Sequence, residues 1–377
     1  MTFICLTFQV HLPLSFTQYD FFRIGHDHSY FDTDSDRFKQ FVENACQPAN
    51  RLLQRLLKQS AGQFKFALSL SGTFIDQMQQ WDPDLFISFS QLAGNRQVEL
   101  LGQSYYHSAC FLFSKDEFER QVELHRQTIR ELFQVPVNTY YNIETAYGND
   151  IAKAIEAKGF GGFLNNASGA LLMGRSPNQV YLPLGTRQMR SMLIYQPLSE
   201  NLNRHFSDTN WPGYPLSPAK LLKDLLFLAE RGDSVINLLI DYRTLSQPGF
   251  ISLLENLIDG LLQSDQLAFL APSEALQQLV VKGTYDAPSS ATWAEASKEL
   301  PAGLENYLQR EAIERLFALE KAIKLSGKED LLRTWGSLQC LDYRQMMGNG
   351  SPNRYDTYIN YMNVLTDLEQ RVNVYNQ

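Results

Sequence analysis

The feature that most restricts the fold is a hydrophobic period that keeps switching between two and about 3.6 along the first three quarters of the chain. One unit shows the pattern most clearly. Val137–Ile143 is a short β-branched and aromatic run, which predicts a strand, and Glu144 follows at once. From Thr145 to Gly159 the period becomes helical, with Ile151, Ala154 and Ile155 on one face, Asn149 or Asp150 as cap and Gly159 as stop. Further strands are predicted at 3–10, 64–70, 98–101, 161–164, 180–182, 192–195, 235–240 and 267–270. Helices are predicted at 36–59, with Pro48 as a candidate break, and at 74–80, 115–133, 220–231, 253–262 and 273–281. The Gly-, Asn- and Pro-rich stretches 165–189 and 201–217 read as long loops.

Strands alternating with helices at this spacing indicate a parallel α/β fold, with seven or eight barrel strands. From Pro301 onward the pattern changes. Leu304, Leu308, Ala312, Leu316, Leu319 and Ile323 mark one helix, and Tyr358, Tyr361, Met362, Leu365, Leu368 and Val372 another. Strand signal remains only near Leu338. The expected division is a barrel over 1–285 and a helical region over 286–377 packed against it.

Composition removes several classes of function. Thirty-three Lys+Arg against 41 Asp+Glu give a net charge of -8, and no basic run stands out, which argues against binding a phosphate backbone. No run of about 18 apolar residues is present to span a membrane. Cys5, Cys46, Cys110 and Cys340 are far apart with no CxxC spacing, so buried reduced thiols are expected and structural zinc is not. The opening MTFICLTFQVHLPLSF lacks a basic start, and His11 and Pro13 break its apolar run, so it reads as a first strand. The expectation is a cytoplasmic protein without cofactor or metal, of open oligomeric state. His26-Asp27-His28 has metal-like spacing but no third ligand nearby, and is read as a polar loop.

Three polar residues stand at strand exits: His11, Glu144 and Asp241. In a closed barrel such exits share one rim, so residues far apart in sequence can meet there. Two carboxylates on a rim are what glycoside hydrolysis needs. One attacks the anomeric carbon, and the other protonates the leaving oxygen and then activates water. A gap of about 5–5.5 Å between them leads to retention of configuration. The bland readings are a loop-bonding carboxylate for Glu144 or Asp241 and a satisfied core histidine for His11.

Several blocks, taken together, resemble glycoside hydrolase family 57 in its α-amylase-like branch. They are the first strand with His11, PANRLLQRLL, FKFALSLSGTFIDQ, VELLGQSYYHS, NIETAYGNDIA, VINLLIDYRTL, TWAEASKELPAGLENYLQREAIERL and YDTYINYMNVLTDLE. The resemblance implies an incomplete (β/α)7 TIM-like barrel followed by a C-terminal α-helical bundle. It implies a retaining enzyme on α-glucan, α-amylase-like or a 4-α-glucanotransferase, with Glu144 as nucleophile and Asp241 as acid/base. His11, His107, Trp293 and Asp342 are the implied substrate-binding residues, with an exposed capping role as the alternative for Asp342. Trp211 and Trp335 could also offer stacking faces.

The sequence also departs from the family pattern. Leu12 and Gln103 replace the usual Gln and Glu, Arg243, Leu245 and Ser246-Gln247-Pro248 replace a polar tail, Gly303 replaces a Trp, and Tyr343 replaces a His. A first shell altered this far raises a rival reading, a catalytically silent relative that binds α-glucan or a partner protein.

Overall fold

The computed structural model describes residues 1–32, 36–143, 147–165, 172–287 and 304–375. Glu144 and Trp293 lie outside the described residues. Ten strands are present among the described residues: β1 Thr2–Val10, β2 Phe66–Leu70, β3 Val98–Leu100, β4 Thr139–Tyr141, β5 Gly162–Asn165, β6 Val180–Pro183, β7 Arg190–Leu193, β8 Val235–Asp241, β9 Leu267–Phe269 and β10 Val281–Tyr285. They form two sheets, β3-β2-β1-β8 with β9 also on β1, and β10-β6-β7-β5-β4.

The pairs β1–β2, β1–β8, β2–β3, β4–β5 and β5–β7 are all parallel. Single parallel bridges, Gly102 to Tyr140 and Ile194 to Asn237, connect the two sheets at both ends. The path β1-β2-β3-β4-β5-β7-β8 therefore returns to β1. The strand β6 stands outside this path, antiparallel to β7. Inward-pointing Cys5, Ala67, Leu101, Tyr141, Leu164, Met192 and Val235 fill the space it encloses. Helices cover the outside, and their apolar faces form the main core with the outward residues Phe8, Phe66 and Leu238.

Local chemistry accounts for several differences from the sequence reading. The stretch 36–59 does not break at Pro48. A wide turn at Val42–Cys46 leads directly into the helix Gln47–Gln59, where proline sits in the first turn and its missing N–H costs little. A helix Pro83–Ala93, capped by the Asp82 carboxylate accepting from Leu85 N–H, was not anticipated. Nor was Gln196–Asn203, which enters the stretch expected to be loop. Around Leu338 the chain is helical, not extended. Leu331, Trp335 and Leu338 recur every three or four residues and are buried on one face of the helix Glu329–Leu338.

The C-terminal helices have their own core, built from Leu316, Ile323, Trp335, Tyr343, Leu365 and Leu368 among others. Tyr19 and Tyr30, from the loop after β1, are part of it. Tyr19 N–H donates to Asn360 Oδ1 (3.1 Å) and Gly25 N–H to Asp367 Oδ1 (2.5 Å), while the Tyr30 hydroxyl also bonds Asp367. The helical core thus recruits the loop after β1. The polar loop 26–28 is tied to the same place, His28 Nδ1 lying 2.9 Å from Asp367 Oδ2.

Gly336 marks a tight contact between the helical region and the loop after β3. A Cβ there would lie 2.2 Å from the Tyr106 ring. Gly336→Ala is expected to lower stability by about 1–3 kcal/mol, read from the urea midpoint, because this ring is buried and cannot simply swing aside. An unchanged midpoint would mean the two regions are not packed this closely.

Candidate active site

Asp241 is the last residue of β8, with its side chain 21 % exposed. Asn203, at the end of the helix Gln196–Asn203, fixes its backbone by accepting from Asp241 N–H (2.8 Å). The Asp241 carboxylate accepts from the Arg243 side chain through both oxygens. Nε lies 3.1 Å from Oδ1 and 2.9 Å from Oδ2, and Nη2 lies 2.6 Å from Oδ2. The backbone N–H of Arg243 adds a further bond to Oδ1 (2.8 Å).

The other arm of the same guanidinium donates to Asp342 Oδ1 (2.9 Å). Asp342 lies in the short helix Leu341–Met346, nearly buried, and its Oδ2 is 3.2 Å from His11 Nε2. On the far side of the ring, His11 Nδ1 is 2.7 Å from Ser71 Oγ. Ser71 caps the helix Gly72–Trp81, accepting from Phe74 N–H, so its own hydroxyl proton is available to Nδ1. Nε2, on the other side of the ring, then carries a hydrogen toward the Asp342 carboxylate. The result is one chain of bonds, Ser71–His11–Asp342–Arg243–Asp241.

Burial by itself would raise the Asp342 carboxyl. The bond from His11 and the charge of Arg243 outweigh it and hold the group well below the usual carboxylate range. Burial would likewise lower Arg243, but Asp241 and Asp342 overcome it and keep the guanidinium charged.

His107 stacks on His11, with centroids 4.0 Å apart and planes 14° from parallel. Burial pushes His107 well below its ordinary value, with the neighbouring His11 acting in the same direction. Its Nε2 is 3.5 Å from the Gln9 amide nitrogen, and the Gln9 oxygen accepts from the Tyr141 hydroxyl (2.8 Å). The ligand atoms of His11, His107 and Asp342 all fall within 4.8 Å of one another. A metal shared by both rings does not fit, since in-plane lone pairs of parallel rings run side by side instead of converging, and Asp342 already faces Arg243.

Asp241 opens onto a cleft of about 270 Å³, just below the usual size of small-ligand pockets. Gln9, Tyr141, Asn203, Arg243 and Gln345 share its wall, so β1, β4 and β8 all end there. A second cleft of about 560 Å³ lies beyond Arg243 and Gln345, with Asp342 in its lining. Arg243 is the partition between them.

Of the residues expected from sequence, Asp241, Asp342, His11 and His107 come together. His11 and His107 are both buried, placed behind Asp342. Asp342 is a buried bridging group, not an exposed cap. Trp335 is core, its Nε1–H donating to the Leu316 carbonyl (2.8 Å), and Trp211 stacks on His205. Gln9, Tyr141, Asn203 and Gln345 were not anticipated as site residues, and Arg243 only as one of the altered residues around the carboxylates. Gln9 carried a signal, lying two residues before His11 and so on the same side of the strand. Gln103, where an acid is usual, is buried with no hydrogen-bond partner for its side chain among the described residues.

The profile of Glycosyl hydrolase family 57 matches residues 5–288. The chain belongs to that family. Another protein matched over most of this family 57 chain is the "Putative alpha-amylase" of Methanocaldococcus jannaschii, 28% identical over 372 residues, 90% of this chain and 78% of that protein. Among solved structures, the GH57-type branching enzyme of Pyrococcus horikoshii superposes with a TM-score of 0.74 at 12% identity, covering 100% of this chain and 95% of that one. The 4-alpha-glucanotransferase of Thermococcus litoralis gives 0.68 at 14% identity over 91% of this chain, which spans only 56% of its length. At such identities the two structures establish a shared fold with the C-terminal helical region. Membership of a glycosyl hydrolase family supports activity on glycosidic bonds. Among the described residues, no helix is long and apolar enough to cross a membrane.

Proposed function

We propose that this family 57 protein is a retaining, α-amylase-like glycosidase or glucan-transferring enzyme acting on α-glucan. The ring of strands is taken as an incomplete (β/α)7 barrel over 1–285, with 286–377 as the helical region laid on it. Glu144 forms the glycosyl ester and Asp241 serves as acid and then base, while Asp342, His11 and His107 fix the wall behind them. The supporting observation is the position of Asp241, a carboxylate at the end of β8 opening onto a cleft whose wall includes Tyr141, three residues before Glu144.

The expected result is that Glu144→Gln and Asp241→Asn each abolish product formation from maltooligosaccharides, with the circular dichroism spectrum unchanged. Turnover at the parent rate in either variant would remove that residue's assignment. One observation favours a second reading, a silent binder: Arg243 occupies both oxygens of Asp241. Calorimetric binding of maltooligosaccharide with no product on prolonged incubation selects the binder, and product selects the enzyme.

A further inference from the structure

The Asp241–Arg243 fork bears on which donors such a site can process. Asp241 Oδ1 accepts from the Arg243 backbone N–H and Nε, and Oδ2 accepts from Nε and Nη2. Three N–H groups of Arg243, the backbone N–H, Nε and Nη2, thus crowd the two oxygens. Arg243 is also anchored from behind. Its Nη1 bonds Asp342, which His11 holds and Ser71 supports in turn, so swinging the guanidinium away breaks a second ion pair. The fork stands on the wall between two clefts, with its side chain 39 % exposed, so a substrate entering the cleft beside Asp241 meets the guanidinium itself.

Expelling a sugar hydroxyl requires a proton from the acid, whereas expelling a phosphate, a fluoride or an acidic phenolate does not. We propose that Arg243 makes this site selective for α-glycosyl donors whose leaving group departs as an anion, by keeping both oxygens of Asp241 as acceptors. The inference rests on the assignments of Glu144 and Asp241 given above.

With a glycosyl fluoride the steps balance without a proton donor. A Glu144 oxygen bonds to C1 as the C1–F bond breaks and fluoride leaves with the electron pair. Water then attacks C1, the ester pair returns to Glu144, and the water proton passes to solvent. The products are the free sugar, fluoride and a proton. Arg243 acts through Asp241 and is a positioning residue in this scheme.

The test compares α-maltosyl fluoride with maltoheptaose on the full chain, for the parent, Arg243→Met and Arg243→Lys. General-acid assistance is worth about 10²–10⁴-fold. The parent is therefore expected to favour the fluoride by at least about 100-fold in kcat/KM. Arg243→Met should raise the maltoheptaose-to-fluoride ratio of kcat/KM by about tenfold or more, with a new alkaline limb in the maltoheptaose pH profile. Arg243→Lys keeps a charge for Asp342 without the fork and should fall between them, which covers the case of a Met variant that does not fold.

Similar parent rates on both donors, a ratio that the folded Arg243 variants leave unmoved, or no turnover of either donor would overturn the proposal. Glu144→Gln separates the two failures. It should abolish fluoride release, and if it does so while the ratio ignores Arg243, only the role of Arg243 falls. Fluoride release by Glu144→Gln at the parent rate overturns the nucleophile and this proposal with it.

Discussion

Asp342→Ala is expected to cost about 3 kcal/mol or more of folding stability, enough to move a urea midpoint plainly. The carboxylate is nearly buried and touches Arg243 through one oxygen and His11 through the other. Removing it leaves a guanidinium facing Asp241 alone and an imidazole N–H with no acceptor, and an orphaned buried partner costs more than the lost attraction. Asp342→Asn keeps an acceptor and most of the shape, so it should lose clearly less. The acid side gives a second check. The folded Asp342 carboxyl is held below its ordinary value, so its contribution is complete above about pH 4 and is lost as the pH falls through the lower folded value. The Asn variant should therefore lose less stability than the parent on going below pH 4. A loss under about 1 kcal/mol in the Ala variant would mean that the chain Ser71–His11–Asp342–Arg243 does not hold in solution.

Acid should also weaken the parent at higher pH, through His125. This side chain is fully buried on the helix Lys115–Phe133, with Nε2 2.7 Å from the Leu70 carbonyl and Nδ1 3.4 Å from the backbone N–H of Gln103. Burial lowers it from 6.5 to about 4, the bond to Leu70 opposing. In the unfolded chain the same group takes up a proton near pH 6.5, so the unfolded state binds more protons between the two values. Stability is then full above pH 6.5 and declines toward pH 4, by about 3 kcal/mol for this one group. His107, pushed down for the same reason, adds to the slope in that window. Denaturation of the parent and of His125→Gln at pH 7 and pH 4.5 measures the difference. If the two lose stability equally on acidification, His125 is not buried as a neutral ring.

Much of the strand order could be read from sequence because buried parallel strands are nearly continuous apolar runs, as in Val235–Ile240. The helix Lys115–Phe133 matched at both ends, since Ser114 caps it and its apolar residues repeat at helical spacing. The helix Gln196–Asn203 was missed because it is short and mostly polar, holding its place through Leu198 and Leu202. At the site, Asp241 could be found by its position after an apolar strand. The consequence of Arg243 could not, because a change two residues away does not say where a long side chain will point. His11, Asp342 and Arg243 meet only through three-dimensional closure, which no local period encodes.

The loop that carries Tyr19, Gly25 and Tyr30 completes its bonding with Asn360 and Asp367, 342 residues later in the case of Gly25. A ribosome adding about 5–20 residues per second needs about 17–70 s to cover that distance. For that interval the nascent chain carries Phe16, Tyr19, Tyr30 and Phe31 without the helices they will finally pack against. Folding of the helical core is thus obliged to wait until the helix Arg354–Tyr375 has been made, and the loop after β1 settles long after it is synthesised.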